Sequence, residues 1–237
     1  MSNPYFRFRN FTLRHDHCAM RVGTDGVLLG AWAEFSCAQR ILDIGTGCGL
    51  IALMAAQRNP DALVWGIDID ADSVLQARQN VLASPYADRV QIVHCDVRSF
   101  ESPEPFDAVL CNPPFHPEHI LPPDQARCAA RNTASLGFGE LLRCVDVLLS
   151  ETGLFSVVLP MSVCSEFVSL CLLHRFCLRR KCEVSTVVGR SPKRVMLTFT
   201  KSSSQPLVHE TLTLQDADGR RTSQYASLTE AFYLPCK

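Results

Sequence analysis

From residue 40 onward the chain alternates between short β-rich runs and helix-compatible stretches, and this alternation leaves few architectures open to it. The runs "RILDIG" (40–45), "ALVWGIDI" (62–69), "RVQIVHC" (89–95), "FDAVLC" (106–111) and "GLFSVVLP" (153–160) are bounded by Gly, Pro or Asp, as strands are. Between them, residues 49–58, 71–83, 136–150 and 162–175 carry helical spacing, with Leu141, Leu142, Val145 and Leu148 on one stripe. Strand and helix in alternation predict an α/β fold, a parallel sheet with helices on both faces. The rhythm changes late. "CEVSTVVG" and "RVMLTFTK" are joined by a short turn at Ser191-Pro192, too short for a crossover helix, so they read as an antiparallel hairpin. The tail reads as one more strand, "ETLTLQD", followed by "YASLTEAFYL".

In an open sheet of this kind ligands bind beyond the carboxyl ends of the strands, and the notable residues fall there. "LDIGTGCGL" puts Asp43 at the end of one strand and Gly45, Gly47 and Gly49 in the turn into the next helix. The spacing G-x-G-x-G is not that of a dinucleotide fold. Such a turn serves either tight packing of strand on helix or a ligand laid against bare backbone. The next strand ends in Asp68, whose two carboxylate oxygens suit the hydroxyls of a ribose. Asp96, after the third strand, is placed either to accept from an adenine amino group or to cap a turn. The fourth strand runs into Asn112-Pro113-Pro114-Phe115, where two prolines end strand pairing and make a rigid turn.

The sequence has 237 residues and a net charge of −1, against a protein that coats nucleic acid indiscriminately. Basic residues still cluster locally, at Arg7 and Arg9 and again at Arg190, Lys193 and Arg194. No apolar run is long enough to cross a bilayer and the N-terminus lacks a secretory signal, so a cytosolic protein is expected. The twelve cysteines are scattered among apolar neighbours without a C-x-x-C pair and read as buried thiols, with no metal site.

Asp43 with its glycines, Asp68, Asp96 and the Asn-Pro-Pro-Phe turn, on four successive strand ends, together resemble the class I S-adenosylmethionine-dependent methyltransferases. The resemblance implies a Rossmann-like, mostly parallel seven-stranded sheet with an antiparallel last strand. It also implies S-adenosyl-L-methionine as cofactor, with its methionine end on Gly45, Gly47 and Gly49 near Asp43, its ribose on Asp68 and its adenine on Asp96, and with Ile69 and Val97 also at the cofactor. In that family N-P-P-[YF] belongs to enzymes that methylate an amino group conjugated to a ring or carbonyl. Asn112 and Pro113 then accept the amine's two hydrogens, and Phe115 stacks on a planar base. The motif is shared by enzymes acting on adenine N6, guanine N2, cytosine N4 and protein glutamine, and Phe115-His116 is similar to the guanine-N2 enzymes of ribosomal RNA. The flanks "CAMRVGTDGVLLGAWA" (18–33), "ARNTASLGFGELL" (130–142) and "SLTEAFYL" resemble the bacterial tRNA1(Val) (adenine-37-N6)-methyltransferase family. That resemblance runs from Phe8 to Leu234.

It implies one domain: residues 1–38 as an extension over the cofactor and substrate, 39–201 as the catalytic core, and 202–237 as a terminal strand and tail. Thr24 and Asp25 either cap a helix or reach the cofactor. His116 and His119 either touch RNA or are solvated. Arg7, Arg9, Arg190, Lys193 and Arg194 are expected to meet the phosphates of a tRNA. An inactive cofactor-binding scaffold remains as an alternative of another class, and the oligomeric state stays open.

Overall fold

Residues 3–18, 21–113, 136–202 and 205–234 are described by a computed structural model. A two-stranded hairpin, β1 (Tyr5–Arg7) and β2 (Thr12–Arg14), leads through α1 (Thr24–Trp32) into the main sheet. There β3 (Arg40–Ile44), β4 (Leu63–Asp68), β5 (Val90–His94), β6 (Phe106–Cys111) and β7 (Leu149–Pro160) are mutually parallel. The long strands β8 (Cys177–Val187) and β9 (Arg194–Thr200) form the expected antiparallel hairpin, with β9 inserted between β7 and β8. The tail contributes β10 (Val208–Gln215), parallel to β8 at the edge, so the seven-stranded sheet is extended to eight in the order β10-β8-β9-β7-β6-β3-β4-β5.

Helices cover both faces. One layer holds α1, α2 (Leu50–Arg58), α3 (Ala71–Leu82) and α6 (Ser223–Thr229); the other holds α4 (Phe138–Leu148) and α5 (Cys164–Leu173). The pleat of the strands sorts side chains between them. In β3, Ile41 enters the first core while Leu42 and Ile44 enter the second, so Asp43 faces the same layer as Ile41. The expected stripe of Leu141, Leu142, Val145 and Leu148 is the buried face of α4.

α1 is buried from Gly26 to Trp32 and packs on α2 at very short range. A Cβ on Gly30 would lie 2.7 Å from the Met54 Sδ, so any larger residue there would force the buried Met54 to move. The N-terminal hairpin is fastened at two places. The Asn80 amide of α3 accepts from the Arg14 N–H at 2.9 Å and donates to the Arg14 carbonyl at 2.8 Å. At the other end, the Arg9 N–H donates to the Phe232 carbonyl at 2.8 Å and its Nε donates to the Tyr233 carbonyl at 2.9 Å.

Candidate active site

Strand register sets three of the expected residues side by side. Ile44 is paired with Ile67 on one side and Cys111 on the other, so Asp68, Gly45 and Asn112 are the next residues along three adjacent strands. With neighbouring strands about 4.8 Å apart, Asp68 and Asn112 flank Gly45 at roughly 10 Å from one another. This is the carboxyl edge of the sheet, where a doubly wound fold places its ligand.

The turn from β3 to α2 is built on backbone conformations that residues with a Cβ rarely adopt. Gly45 and Gly47 have φ of +70° and +54°, and a Cβ built on either meets nothing within 4 Å, so the strain would be conformational and the space before them is open. The Gly45 and Thr46 N–H groups both donate to the Ile67 carbonyl, at 2.9 and 3.0 Å, which ties the turn to the end of β4.

Beneath it Asp43 is fully buried. One carboxylate oxygen, Oδ2, accepts from the Thr46 hydroxyl at 2.6 Å and from the Ala52 N–H at 3.2 Å. The other, Oδ1, has no partner among the described residues. Burial pushes the Asp43 carboxyl up to about 7, against the pull of those two hydrogen bonds, and nearby Asp68 adds to the rise. The sign follows from linkage. In the unfolded chain Asp43 titrates near 3.8, so between that value and about 7 the folded chain holds one more proton. Its contribution to stability therefore rises as pH falls through 7, by about 1.4 kcal/mol per pH unit at most, and levels off below the ordinary carboxylate range. We expect Asp43→Asn to remove that slope from the difference between denaturant unfolding curves at pH 6 and pH 8. A mutant with the wild-type pH dependence would place the extra proton elsewhere.

Asp68 is held from two sides. Its Oδ2 accepts from the Gly47 N–H at 2.8 Å and its Oδ1 from the Asp70 N–H at 2.9 Å, leaving each oxygen free to accept again. Asp70 in turn caps α3, accepting from the Ser73 N–H at 2.9 Å. Beside it, the exposed Ile69 offers a carbonyl that accepts from His94 Nε2 at 3.0 Å. Asp96 does cap a turn, the single 3-10 turn Val97–Ser99. It also chelates the Arg98 guanidinium, with Nε at 3.0 and 2.9 Å from its two oxygens, and this neighbour holds its carboxyl below the usual range. Val97 is buried beneath that clasp.

Asn112 follows β6 directly. Its Oδ1 is shielded from solvent and has no hydrogen-bond partner among the described residues, which is uncommon for a buried amide oxygen. Pro113 beside it is buried. Pro114, Phe115, His116 and His119 lie outside the described residues.

Thr24 and Asp25 open α1, yet neither caps it; Gly23 is the cap residue. Instead the Asp25 carboxylate accepts from Arg194 Nε at the start of β9. Arg194 stands opposite Pro160, the last residue of β7, so the β8–β9 turn lies at the same edge as Asn112. Arg190 and Lys193 are exposed in that turn. On the N-terminal hairpin Arg7 is exposed, while Arg9 is hydrogen-bonded to the tail. Residue types alone did not indicate Arg98, Thr46 or the Asp25–Arg194 pair. A Thr three residues after a buried Asp was the one local signal for Thr46.

Among the described residues no helix is long and apolar enough to cross a membrane, and no three His, Cys, Asp or Glu side chains are grouped to hold a metal ion. Residues 22–127 match the family described as "Methyltransferase small domain". Over its full length the chain is 42% identical to a tRNA1(Val) (adenine(37)-N6)-methyltransferase of Bacteroides thetaiotaomicron, covering all of both chains. A protein of the same name from Phocaeicola vulgatus is 44% identical over 99% of each chain, and one from Cronobacter sakazakii 40% over 97% and 94%. Among solved structures, a predicted O-methyltransferase from Agrobacterium tumefaciens superposes with a TM-score of 0.69 over 88% of this chain and 96% of that one, at 19% identity. A ribosomal protein L11 methylase from Lactobacillus delbrueckii superposes with a TM-score of 0.56 over 79% and 83%, at 16% identity.

Proposed function

Because the chain belongs to the tRNA1(Val) (adenine(37)-N6)-methyltransferase family, we propose that it methylates N6 of adenine-37 in the anticodon loop of tRNA1(Val), in the cytoplasm, with S-adenosyl-L-methionine. The observation that carries this reading is the identity of 40–44% maintained end to end with proteins of that name. The site fits such a cofactor on its own terms. There is open space before Gly45 and Gly47, free lone pairs remain on Asp68, and Asp43 Oδ1 and Asn112 Oδ1 are buried acceptors without partners among the described residues.

In this reading the Gly45–Gly49 turn carries the methionine end, above Asp43. Asp68 accepts from the ribose hydroxyls, and Asp96, Ile69 and Val97 border the adenine. Bound there, S-adenosylmethionine supplies a methyl group made electrophilic by its sulfonium. The protein's part is orientation. An exocyclic amine conjugated to a purine is a weak nucleophile because its lone pair is delocalised into the ring. Asn112 Oδ1 accepts one of its hydrogens and the Pro113 carbonyl the other. The nitrogen is thereby fixed, and electron density is pushed back onto it as it attacks. Phe115 supplies a face for the flipped base. No strong base is required, since the proton becomes acidic once the fourth bond to nitrogen forms and can leave to water.

The direct test incubates the purified protein with tRNA1(Val) and S-adenosylmethionine and quantifies N6-methyladenosine after nuclease digestion. A transcript with guanine at position 37 is the control. Methylation that persists in the control, or appears as N2-methylguanosine or N4-methylcytidine, would reassign the base.

A flipped base offers only its edge and face, so the hold on the surrounding RNA must come largely from phosphates. Of the cations expected to meet RNA, Arg194 is committed to Asp25 and Arg9 to the tail, which leaves Arg190 and Lys193 as exposed cations at the site's edge and Arg7 exposed on the N-terminal hairpin. We expect tRNA binding to weaken with salt, at a logarithmic slope of about −0.7 per single-stranded phosphate engaged. Reversing Arg190 and Lys193 to Glu should flatten that slope by about 1.4 if each meets one phosphate, while cofactor affinity stays unchanged. Isotherms over a salt series decide it: an unaltered slope would mean that the RNA is held elsewhere.

A further inference from the structure

The β8–β9 hairpin and β10 run on past the cleft. By strand register Asn112, which follows Cys111, stands level with Val158, Met196, Cys182 and Glu210 on β7, β9, β8 and β10 in turn. β10 continues five residues beyond that level, from Glu210 to Gln215. At about 3.3 Å per residue and about 4.8 Å per strand, its end lies roughly 17 Å farther along the strand direction than Asn112 and roughly 19 Å to the side, about 25 Å in all. Two turns meet there. The Val188 N–H, in the β8–β9 turn, donates to the Gln215 carbonyl at 2.9 Å, so that turn and the one after β10 form one rim. The second turn, Asp216–Arg221, is held by its own first residue. The Asp216 carboxylate accepts from the Asp218 and Arg220 N–H groups, each at 2.9 Å, and the Asp216 N–H donates to the Arg220 carbonyl at 2.9 Å. Gly219 supplies the positive φ of +78° that the turn needs. The Arg220 guanidinium meets the Asp218 carboxylate at 3.9 Å with side chains 80% and 73% exposed, a weak pair. Arg221 is also exposed, with its guanidinium stacked 4.2 Å from the centre of the Tyr233 ring.

Given a tRNA substrate, as proposed above, we infer that the Asp216–Arg221 turn is a second RNA contact, and that it grips the base-paired stem beside the loop instead of the loop itself. Distance decides between the two. A separation of about 25 Å corresponds to roughly seven nucleotides of a duplex strand at about 3.4 Å each, so the phosphate that reaches Arg220 belongs to a nucleotide several steps from the flipped base. In a hairpin that many steps lead into the stem. Lys193, one residue from Arg194 and so nearer Asn112, lies between the two contacts. The turn is suited to this work because its shape is fixed in advance: the Asp216 carboxylate is spent on backbone N–H groups, and the two arginines are presented on a backbone that binding does not have to order. Asp218 is the competitor. It pairs with Arg220 in the free protein and gives way to solvent when a phosphate takes its place.

The test measures binding of the full-length protein, over a salt series, to a tRNA1(Val) transcript and to a single-stranded oligonucleotide carrying only its anticodon-loop sequence. Arg220→Glu should lower the logarithmic salt slope for the tRNA by about 0.9, the value for one duplex phosphate, and weaken tRNA binding by roughly fivefold to tenfold at about 0.1 M salt. The oligonucleotide and S-adenosylmethionine should bind as they do to wild type. Asp218→Asn keeps the backbone N–H that the turn uses and removes the competing charge, so it should bind tRNA more tightly, a gain that a damaged fold does not produce. An unchanged tRNA slope in Arg220→Glu would overturn the inference, and so would an equal loss for the stemless oligonucleotide or no gain in Asp218→Asn. These are binding measurements, separate from the identity of the modified base: a product other than N6-methyladenosine would strike the adenine-37 reading and leave the salt slopes as they are.

Discussion

Asn112→Ala is expected to lower the rate of methyl transfer by at least roughly 10²–10³-fold, the scale on which loss of one positioning or charge-stabilising contact is felt. The same change should leave cofactor affinity within a few-fold. What sets this substitution apart is its expected effect on stability. Among the described residues Oδ1 of Asn112 is a desolvated acceptor without a partner. Truncating an unsatisfied polar group removes a penalty instead of a bond, so the thermal midpoint should hold or rise while catalysis collapses. A tritium-transfer assay beside a melting curve reads both. Near-normal turnover would sink the positioning role, and a lowered midpoint would mean that the amide is satisfied within the fold.

Asp68→Ala should have the opposite signature: S-adenosylmethionine binding weakened by about 1.5–3 kcal/mol, the usual value of hydrogen bonds to a charged acceptor, with catalysis at saturating cofactor much less affected. Part of that loss would pass through the protein, because the carboxylate also holds the Gly47 and Asp70 N–H groups. A 2′-deoxyribose analogue separates the two parts. Wild type should lose affinity for it, and Asp68→Ala should bind analogue and parent alike. If the mutant still distinguishes them, the ribose is held by another group. Asp68→Asn should not rescue binding, since its NH2 would face one backbone N–H or the other.

The sheet and its strand ends were legible because they rest on local signals: apolar runs, period-3.6 stripes and Gly or Pro breaks. The turn at Ser191-Pro192 predicted the hairpin for the same reason. The edge on which that turn falls was not readable, since it depends on β9 slotting between β7 and β8, a pairing across distant parts of the chain. The site divides along the same line. Gly45, Gly47, Asp68 and Asn112 were legible as a row of residues following strands. The occupancy of the charged groups was not. Asp96 chelates Arg98 two residues on, and Asp25 meets Arg194 from the other end of the chain, because side-chain pairing answers to tertiary proximity that spacing does not encode. Asp43 was legible as the acid at the end of β3 before the glycine turn, but its burial on the side of Ile41 emerges only once the pleat is assigned.

The bonds from Arg9 to Phe232 and Tyr233 bear on how this molecule comes into being. On a ribosome, residues near the amino end emerge first and usually find partners among their neighbours. Here the hairpin at residues 5–14 cannot complete its seat until residue 233 has been translated. Contacts of such long sequence separation form late and slow folding. The nascent chain can thus close most of its central sheet, with Arg14 already seated on Asn80, before the Arg9 end of the hairpin is fastened to the last turn of the chain.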